Sequence, residues 1–184
     1  MKNVFLNNRF FFALFGVGIC YVLAFFFPIL MGVAHGFLIV VFLAIFVDYL
    51  LLFREKNAVQ AQRILPEKLS NGDQNSIKVD LKNNYPFQIK TVTIDEIPFQ
   101  FQKRDFFIER SIEAKKNVLF EYVLEPKERG EYSFGNLNIF AQTSLGFVSR
   151  RFTFQKDELV SSFPSFIHLR IYELMALQNE LLLG

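Results

Sequence analysis

The chain has 184 residues, a formal net charge of +2 and one cysteine, Cys20. That charge leaves no polybasic footprint for nucleic acid, and a lone cysteine excludes an intrachain disulfide framework. Hydrophobic residues reach 52% and crowd into the first third, which excludes a uniformly water-soluble globule.

The first hydrophobic run spans 10–31 and the second 37–53, and Asp48 is the one formal charge inside either. A helix of about 20 apolar residues covers a hydrocarbon core, and the backbone of such a run must satisfy its own polar groups. The pair predicts a transmembrane helical hairpin over 1–54, broken at Gly32-Val33-Ala34-His35-Gly36. Lys2 and Arg9 precede the first run; Arg54, Lys56, Arg63 and Lys68 follow the second; the connector has neither Lys nor Arg. By the positive-inside rule both ends face the cytoplasm. A cleaved signal peptide is the competing reading. Its apolar core is normally about 7–15 residues, shorter than this run, and a second hydrophobic run follows in place of a cleavage site. Asp48 has Tyr49 beside it and Arg54 less than two turns on, so it reads as an interfacial residue, in reach of headgroup water or a partner, or as a helix-packing one. A proton relay would need further polar groups in the spans.

Residues 55–68 read as a juxtamembrane connector, with 55–65 continuing the second helix to a stop at Pro66. Alternation then takes over. Ile77, Val79 and Leu81 alternate with Lys78, Asp80 and Lys82, between the turn chemistry of Ser70-Asn71-Gly72-Asp73 and Asn83-Asn84-Tyr85-Pro86. The same period marks Val92 and Ile94, Phe99 and Phe101, Val118 to Leu124, Leu137 and Ile139, and Phe152 and Phe154. Six or seven short strands separated by turns predict an antiparallel, immunoglobulin-like β-sandwich over 69–164. In 165–184 the apolar residues Ile171, Leu174, Met175, Leu177 and Leu181 fall at helical spacing. They predict a short C-terminal helix with a candidate partner-docking face.

Catalytic chemistry finds little support. His35 and His168 stand apart from any Cys/Asp/Glu cluster at metal-ligand spacing, and the glycines form no phosphate loop. Ser161, His168 and Asp157 sit in no nucleophile elbow. The acid pairs Asp95-Glu96 and Asp157-Glu158 read as turn or solvated-face residues. The basic pairs Lys103-Arg104, Lys115-Lys116 and Arg150-Arg151 read the same way, with lipid headgroups as the alternative. No cofactor is expected.

The most distinctive segment is Pro126-Lys127-Glu128-Arg129-Gly130-Glu131-Tyr132-Ser133-Phe134-Gly135, a polar turn between two strands with Gly130 in it and Gly135 interrupting the second. Arg129 there is read as bonding across the sandwich end. With this segment the chain resembles the amino-terminal half of a bacterial membrane-protein family that carries a domain-of-unknown-function name, number fifty-eight. The resemblance rests on order: two membrane helices with a late acid like Asp48, the step Arg63-Ile64-Leu65-Pro66, the turn Ser70-Asn71-Gly72, a strand ending in Asn83, and Asp95-Glu96-Ile97-Pro98. Pro126 with Arg129, Gly130, Tyr132 and Gly135 comes next, and Phe163-Pro164 stands at a tyrosine-proline step. Where the family tends to show Asp-Pro-x-Gly-Leu, this chain has Thr143-Ser144-Leu145-Gly146-Phe147, keeping only Gly146 and an apolar residue after it. The matched family residues are expected to be structural.

The resemblance implies association with MoxR-like AAA+ ATPases. It also implies a following von Willebrand factor A-like domain, which would begin where this chain stops at Gly184 and whose metal site has no matching positions here. The chain is thus expected to be a truncated or split member. The expectation is a non-enzymatic bacterial inner-membrane anchor and interaction module, multi-pass, with both termini cytoplasmic. Its partners would be the lipid bilayer and a MoxR-like ATPase or associated membrane protein, without nucleic acid. The alternative is a periplasm-facing sandwich that binds cell-envelope components.

Overall fold

The computed structural model describes residues 3–103, 106–155 and 157–164. Two helices lead: α1 (Asn8–Phe26) and α2 (Met31–Phe53), 19 and 23 residues long. At 1.5 Å per residue they measure about 28 and 35 Å, and each is long and apolar enough to cross a membrane. Large apolar side chains such as Phe12, Phe25 and Phe42 stand exposed on their outer faces.

The break between the helices lies earlier than the glycine-rich segment expected to hold it. Residues 32–36 are helical, and the chain turns instead at Phe27 and a single 3₁₀ turn, Pro28–Leu30. Pro28 has no N–H to continue α1, but its fixed φ starts a new helical turn readily. The second helix also ends earlier than the 55–65 extension predicted. It stops at Phe53, and residues 59–64 form a strand. Val59 and Arg63 point inward there and Gln60 and Gln62 outward, a period of two that the charge on Arg63 concealed.

Among the described residues eleven strands follow the order β1 (Val4–Leu6), β2 (Val59–Ile64), β3 (Lys68–Asn71), β4 (Asn75–Asn83), β5 (Ile89–Asp95), β6 (Phe107–Ile112), β7 (Asn117–Leu124), β8 (Gly130–Phe134), β9 (Leu137–Gln142), β10 (Val148–Phe154) and β11 (Glu158–Pro164). One sheet runs β1-β10-β9-β5-β6; two three-stranded sheets run β2-β4-β7 and β3-β11-β8. All pairs are antiparallel except β3 with β11, which is parallel, so the purely antiparallel expectation fails at that edge. The sandwich also starts before residue 69. β2 pairs with β4 in the register Val59↔Asn83, and β1, ahead of both helices, pairs with β10 in the register Phe5↔Ser149.

Phe99 and Phe101 are not on a strand but in a 3₁₀ turn after Pro98, where Phe101 packs on Tyr132 with ring centroids 4.9 Å apart. The alternating residues of the sheets meet in one core, with Ile77, Leu81, Ile89, Phe134, Leu137 and Ile139 fully buried. Leu52 of α2 is part of that core, so the hairpin and the sandwich share packing. The expected C-terminal helix, with Ile171, Leu174, Met175, Leu177, Leu181 and His168, lies outside the described residues.

Candidate functional site

Among the described residues two polar clusters tie together distant parts of the chain: a junction where the hairpin meets the sandwich, and a buried cluster around Arg63.

At the junction both helices grip one loop, residues 143–147 between β9 and β10. Gly146 takes a positive φ of 69°, which a glycine adopts without strain. The turn it makes aims the consecutive N–H groups of Phe147 and Val148 at the Asp48 Oδ2, at 2.8 and 3.0 Å. Such paired amides form an anion-binding concavity. The Thr143 hydroxyl donates to the other oxygen of Asp48. Asp48 is fully buried, so it does not stand in headgroup water as an interfacial acid would. Three hydrogen bonds offset the desolvation of the carboxylate.

From the other side, Asn7 donates through Nδ2 to Gln142 Oε1 and to the Gly146 carbonyl, at 3.0 and 3.1 Å. Arg9 donates to the carbonyls of Ser144 and Leu145, both at 3.0 Å.

The end of α2 is capped by the sandwich. A helix leaves its last carbonyls unpaired. Here the Leu52 carbonyl accepts the Tyr85 hydroxyl at 2.5 Å and the Arg150 guanidinium at 2.7 Å, and Arg150 also donates to the Glu55 carbonyl at 2.6 Å. A cation at a helix C-terminus is favourable to the helix dipole as well. Arg150 stacks over Phe53 and Phe152, 4.9 and 4.6 Å from the ring centroids, so it is no freely solvated charge. Burial raises the Tyr85 hydroxyl pKa, with Arg150 opposing. Tyr85 is placed by Asn83, whose amide donates to the carbonyls of Phe87, Ile112 and Glu113. Arg54 is exposed beside this cap.

The second cluster lies inside the sandwich. Arg63 of β2 is fully buried. It pairs with Asp95 at the end of β5, with Glu158 of β11 at 3.0 Å, and with the Gly135 carbonyl at 3.1 Å. One guanidinium thereby joins strands of all three sheets. Tyr122 of β7 donates to Asp95 at 2.5 Å. Asp95 and Glu158, expected on turns or solvated faces, are therefore structural counter-ions. Burial pushes the Asp95 carboxyl above the usual carboxylate range, and Arg63 and Tyr122 pull it back. Burial, with the Asp95 charge beside it, drives the Tyr122 hydroxyl well above its ordinary value.

The motif residues fall around these clusters. Pro126 and Tyr132 are buried, and the Tyr132 hydroxyl donates to the Glu128 carbonyl at 2.9 Å, holding the β7–β8 turn. Gly130 opens β8. Arg129 is exposed and makes no side-chain hydrogen bond among the described residues, so it does not bond across the sandwich end. At Gly135 a Cβ would stand 2.6 Å from Glu96 Oε2, so only glycine leaves Glu96 room to accept from Asn136 and Asn138. Pro164 ends β11 opposite Asn71. Asp157 and Ser161 are not joined by any hydrogen bond, and their third member, His168, lies outside the described residues. Among the described residues no group of three His, Cys, Asp or Glu could hold a metal ion.

Sequence reasoning missed Thr143, Tyr85, Arg150 and the partners of Arg63. Their polar side chains follow no period, and only chain folding brings them to partners 32 to 98 residues away. A lone acid late in an apolar helix was the one usable signal.

The fold and the junction define an all-β sandwich carried on two apolar helices. No family model matches the chain, and no curated protein matches it. Among solved structures, the PapD-like domain 7 of human CEP192 is similar over 58% of this chain and 84% of its own, at 12% identity and a TM-score of 0.41. A CARDB domain from Pyrococcus furiosus, solved with di-metal ions, is similar over 57% of this chain and 87% of its own, at 14% identity and a TM-score of 0.38. A β-glucosidase from Listeria innocua is similar over 58% of this chain but 16% of its own, at 14% identity and a TM-score of 0.32. These likenesses carry no argument about site or activity.

Proposed function

We propose that the chain is a non-enzymatic membrane tether that presents an immunoglobulin-like sandwich in a fixed pose against the bilayer, as an interaction module. The observation that carries this is the junction: apolar helices of membrane-crossing length, locked to the sandwich through Asp48, Asn7, Arg9, Tyr85 and Arg150. A flexible linker would have sufficed for attachment alone, so the buried carboxylate argues for a held orientation. The excess of Lys and Arg around the helix ends supports a cytoplasmic sandwich at a bacterial inner membrane. The family resemblance supports a MoxR-like ATPase or an associated membrane protein as the partner.

Alkaline phosphatase fused after Gly184 tests the placement. The fusion should remain in carbonate-washed membranes and be inactive, because phosphatase folds only outside the cytoplasm. High activity would reverse the orientation and favour a module for cell-envelope components. Co-purification of the tagged full chain with a MoxR-like ATPase tests the partner; absence of the ATPase from the cross-linked material would remove it.

A further inference from the structure

We infer that the groove between the end of α2 and the β4–β5 loop is a binding site for one anionic phospholipid, its acyl chain along the helix and its phosphate at Arg54. This rests on the membrane reading proposed above. The groove has a volume of about 800 Å³ and is lined by Val47, Leu50, Leu51 and Phe53 of the helix, with Tyr85, Pro86 and Phe87 across from them. Small-molecule sites span about 300–1,000 Å³.

Three observations choose a lipid as the occupant. First, the groove is continuous with the exposed apolar face of α2: Val47, Leu50 and Leu51 extend a helix whose side chains already face outward above them. An acyl chain lying on that helix runs into the groove without crossing water. Second, polarity changes along the groove in the order a phospholipid needs. The apolar residues come first along α2, and Arg54 and Glu55 line the groove where the helix ends. Buried Asp48 and Leu52 are turned toward the sandwich, so this wall carries no charge until Arg54, its one polar group before that being the Tyr49 hydroxyl. Third, cations stand at the polar end of the groove. Arg54 lines it beside Glu55, Lys56 follows two residues on, and Lys115 donates to the Asn84 carbonyl of the β4–β5 loop. A juxtamembrane cation attracts an anionic headgroup, and an arginine binds phosphate through two donors. The rigid cap made by Tyr85 and Arg150 holds the far wall in place, so the groove stands open before a lipid arrives.

The chain contains no tryptophan, so a single introduced indole reports without background. The full chain carrying Leu51→Trp, in the groove, is compared with one carrying Phe42→Trp, on the open face of α2. Both are reconstituted in phosphatidylcholine bilayers doped with brominated phosphatidylglycerol or brominated phosphatidylcholine. The Phe42→Trp reporter should be quenched equally by both. The Leu51→Trp reporter should reach half-quenching at about fivefold lower mole fraction of the brominated phosphatidylglycerol, the selectivity expected from one interfacial cation. Adding Arg54→Gln should abolish that preference while leaving the Phe42→Trp response unchanged. Quenching at Phe42→Trp without any headgroup preference at Leu51→Trp would overturn the lipid site and leave the tether intact. So would an unquenched Leu51→Trp, which would mean that protein, such as a second copy, fills the groove. No quenching at Phe42→Trp would overturn both readings.

Discussion

Asp48 shows how much one residue's meaning depends on what surrounds it. A carboxylate in an apolar helix is costly unless it is paired or hydrogen-bonded. Here three donors from one loop meet it. Asp48→Leu leaves a hydroxyl and two N–H groups unpaired, at about 1–3 kcal/mol each when buried. It should lower stability by about 3 kcal/mol or more, and Asp48→Asn, which keeps a carbonyl acceptor, by less. Guanidinium midpoints of the detergent-solubilised chain, followed by tyrosine fluorescence, check the order; equal losses would show that the hydrogen bonds contribute little.

Arg63 poses the converse problem. Arg63→Met strands Asp95 in the core and should cost about 3–5 kcal/mol, whereas Arg63→Met with Asp95→Leu should recover much of that loss. A double variant less stable than the single one would contradict the pairing.

The two shifted tyrosines add a pH dependence. Tyr85 and Tyr122 hold their protons more tightly folded than unfolded. Their contribution is present in full below the ordinary tyrosine value of 10.0 and is lost as pH rises through the higher folded values. Stability should therefore fall above about pH 10, and Tyr122→Phe should flatten that fall. A denaturation series from neutral to alkaline pH measures both slopes.

At the scale of elements, short loops carry the assembly. The 143–147 loop meets Asp48 from α2 and Asn7 and Arg9 from the start of α1, so the two ends of the hairpin are fastened at one point of the sandwich. The β8–β9 corner is similarly crowded. Gly135→Ala places a methyl 2.6 Å from Glu96 Oε2 and 3.0 Å from its Cβ. The side chain must then leave Asn136 and Asn138, which should cost about 1–3 kcal/mol. Gly32→Ala, where nothing lies within 4 Å, should be close to neutral. Thermal midpoints of the two variants test whether the difference comes from crowding rather than from loss of glycine as such.

At the scale of the whole molecule, hairpin and sandwich behave as one body because β1, the start of α1 and the end of α2 all meet β10 or the loop before it. Cys20 is the sole cysteine, so a spin label there and a second on Leu159→Cys, exposed on β11, measure the relation between them. The distance distribution should be narrow in the native chain and broad in the Asp48→Leu variant. A broad distribution in both would mean that the junction does not fix orientation.

The sequence by itself determined two apolar helices and a set of alternating strands, because hydrophobic period is a local property that tertiary context rarely reverses. It also singled out Asp48 and Gly135 as unusual, since each breaks the pattern around it. It misplaced the hairpin break because glycine in an apolar helix looks like a breaker and is not one in the absence of competing water. It read 55–65 as helix because the buried Arg63 disguised an inward strand position as a polar one. Only the tertiary structure decided that Val4–Leu6 belongs to the sandwich, that Asp95 and Glu158 are counter-ions rather than surface charges, and that Asp48 is a fastening. Those are pairings across long stretches of chain, and the energy of a buried charge depends on which donors the fold brings to it, not on its neighbours in sequence.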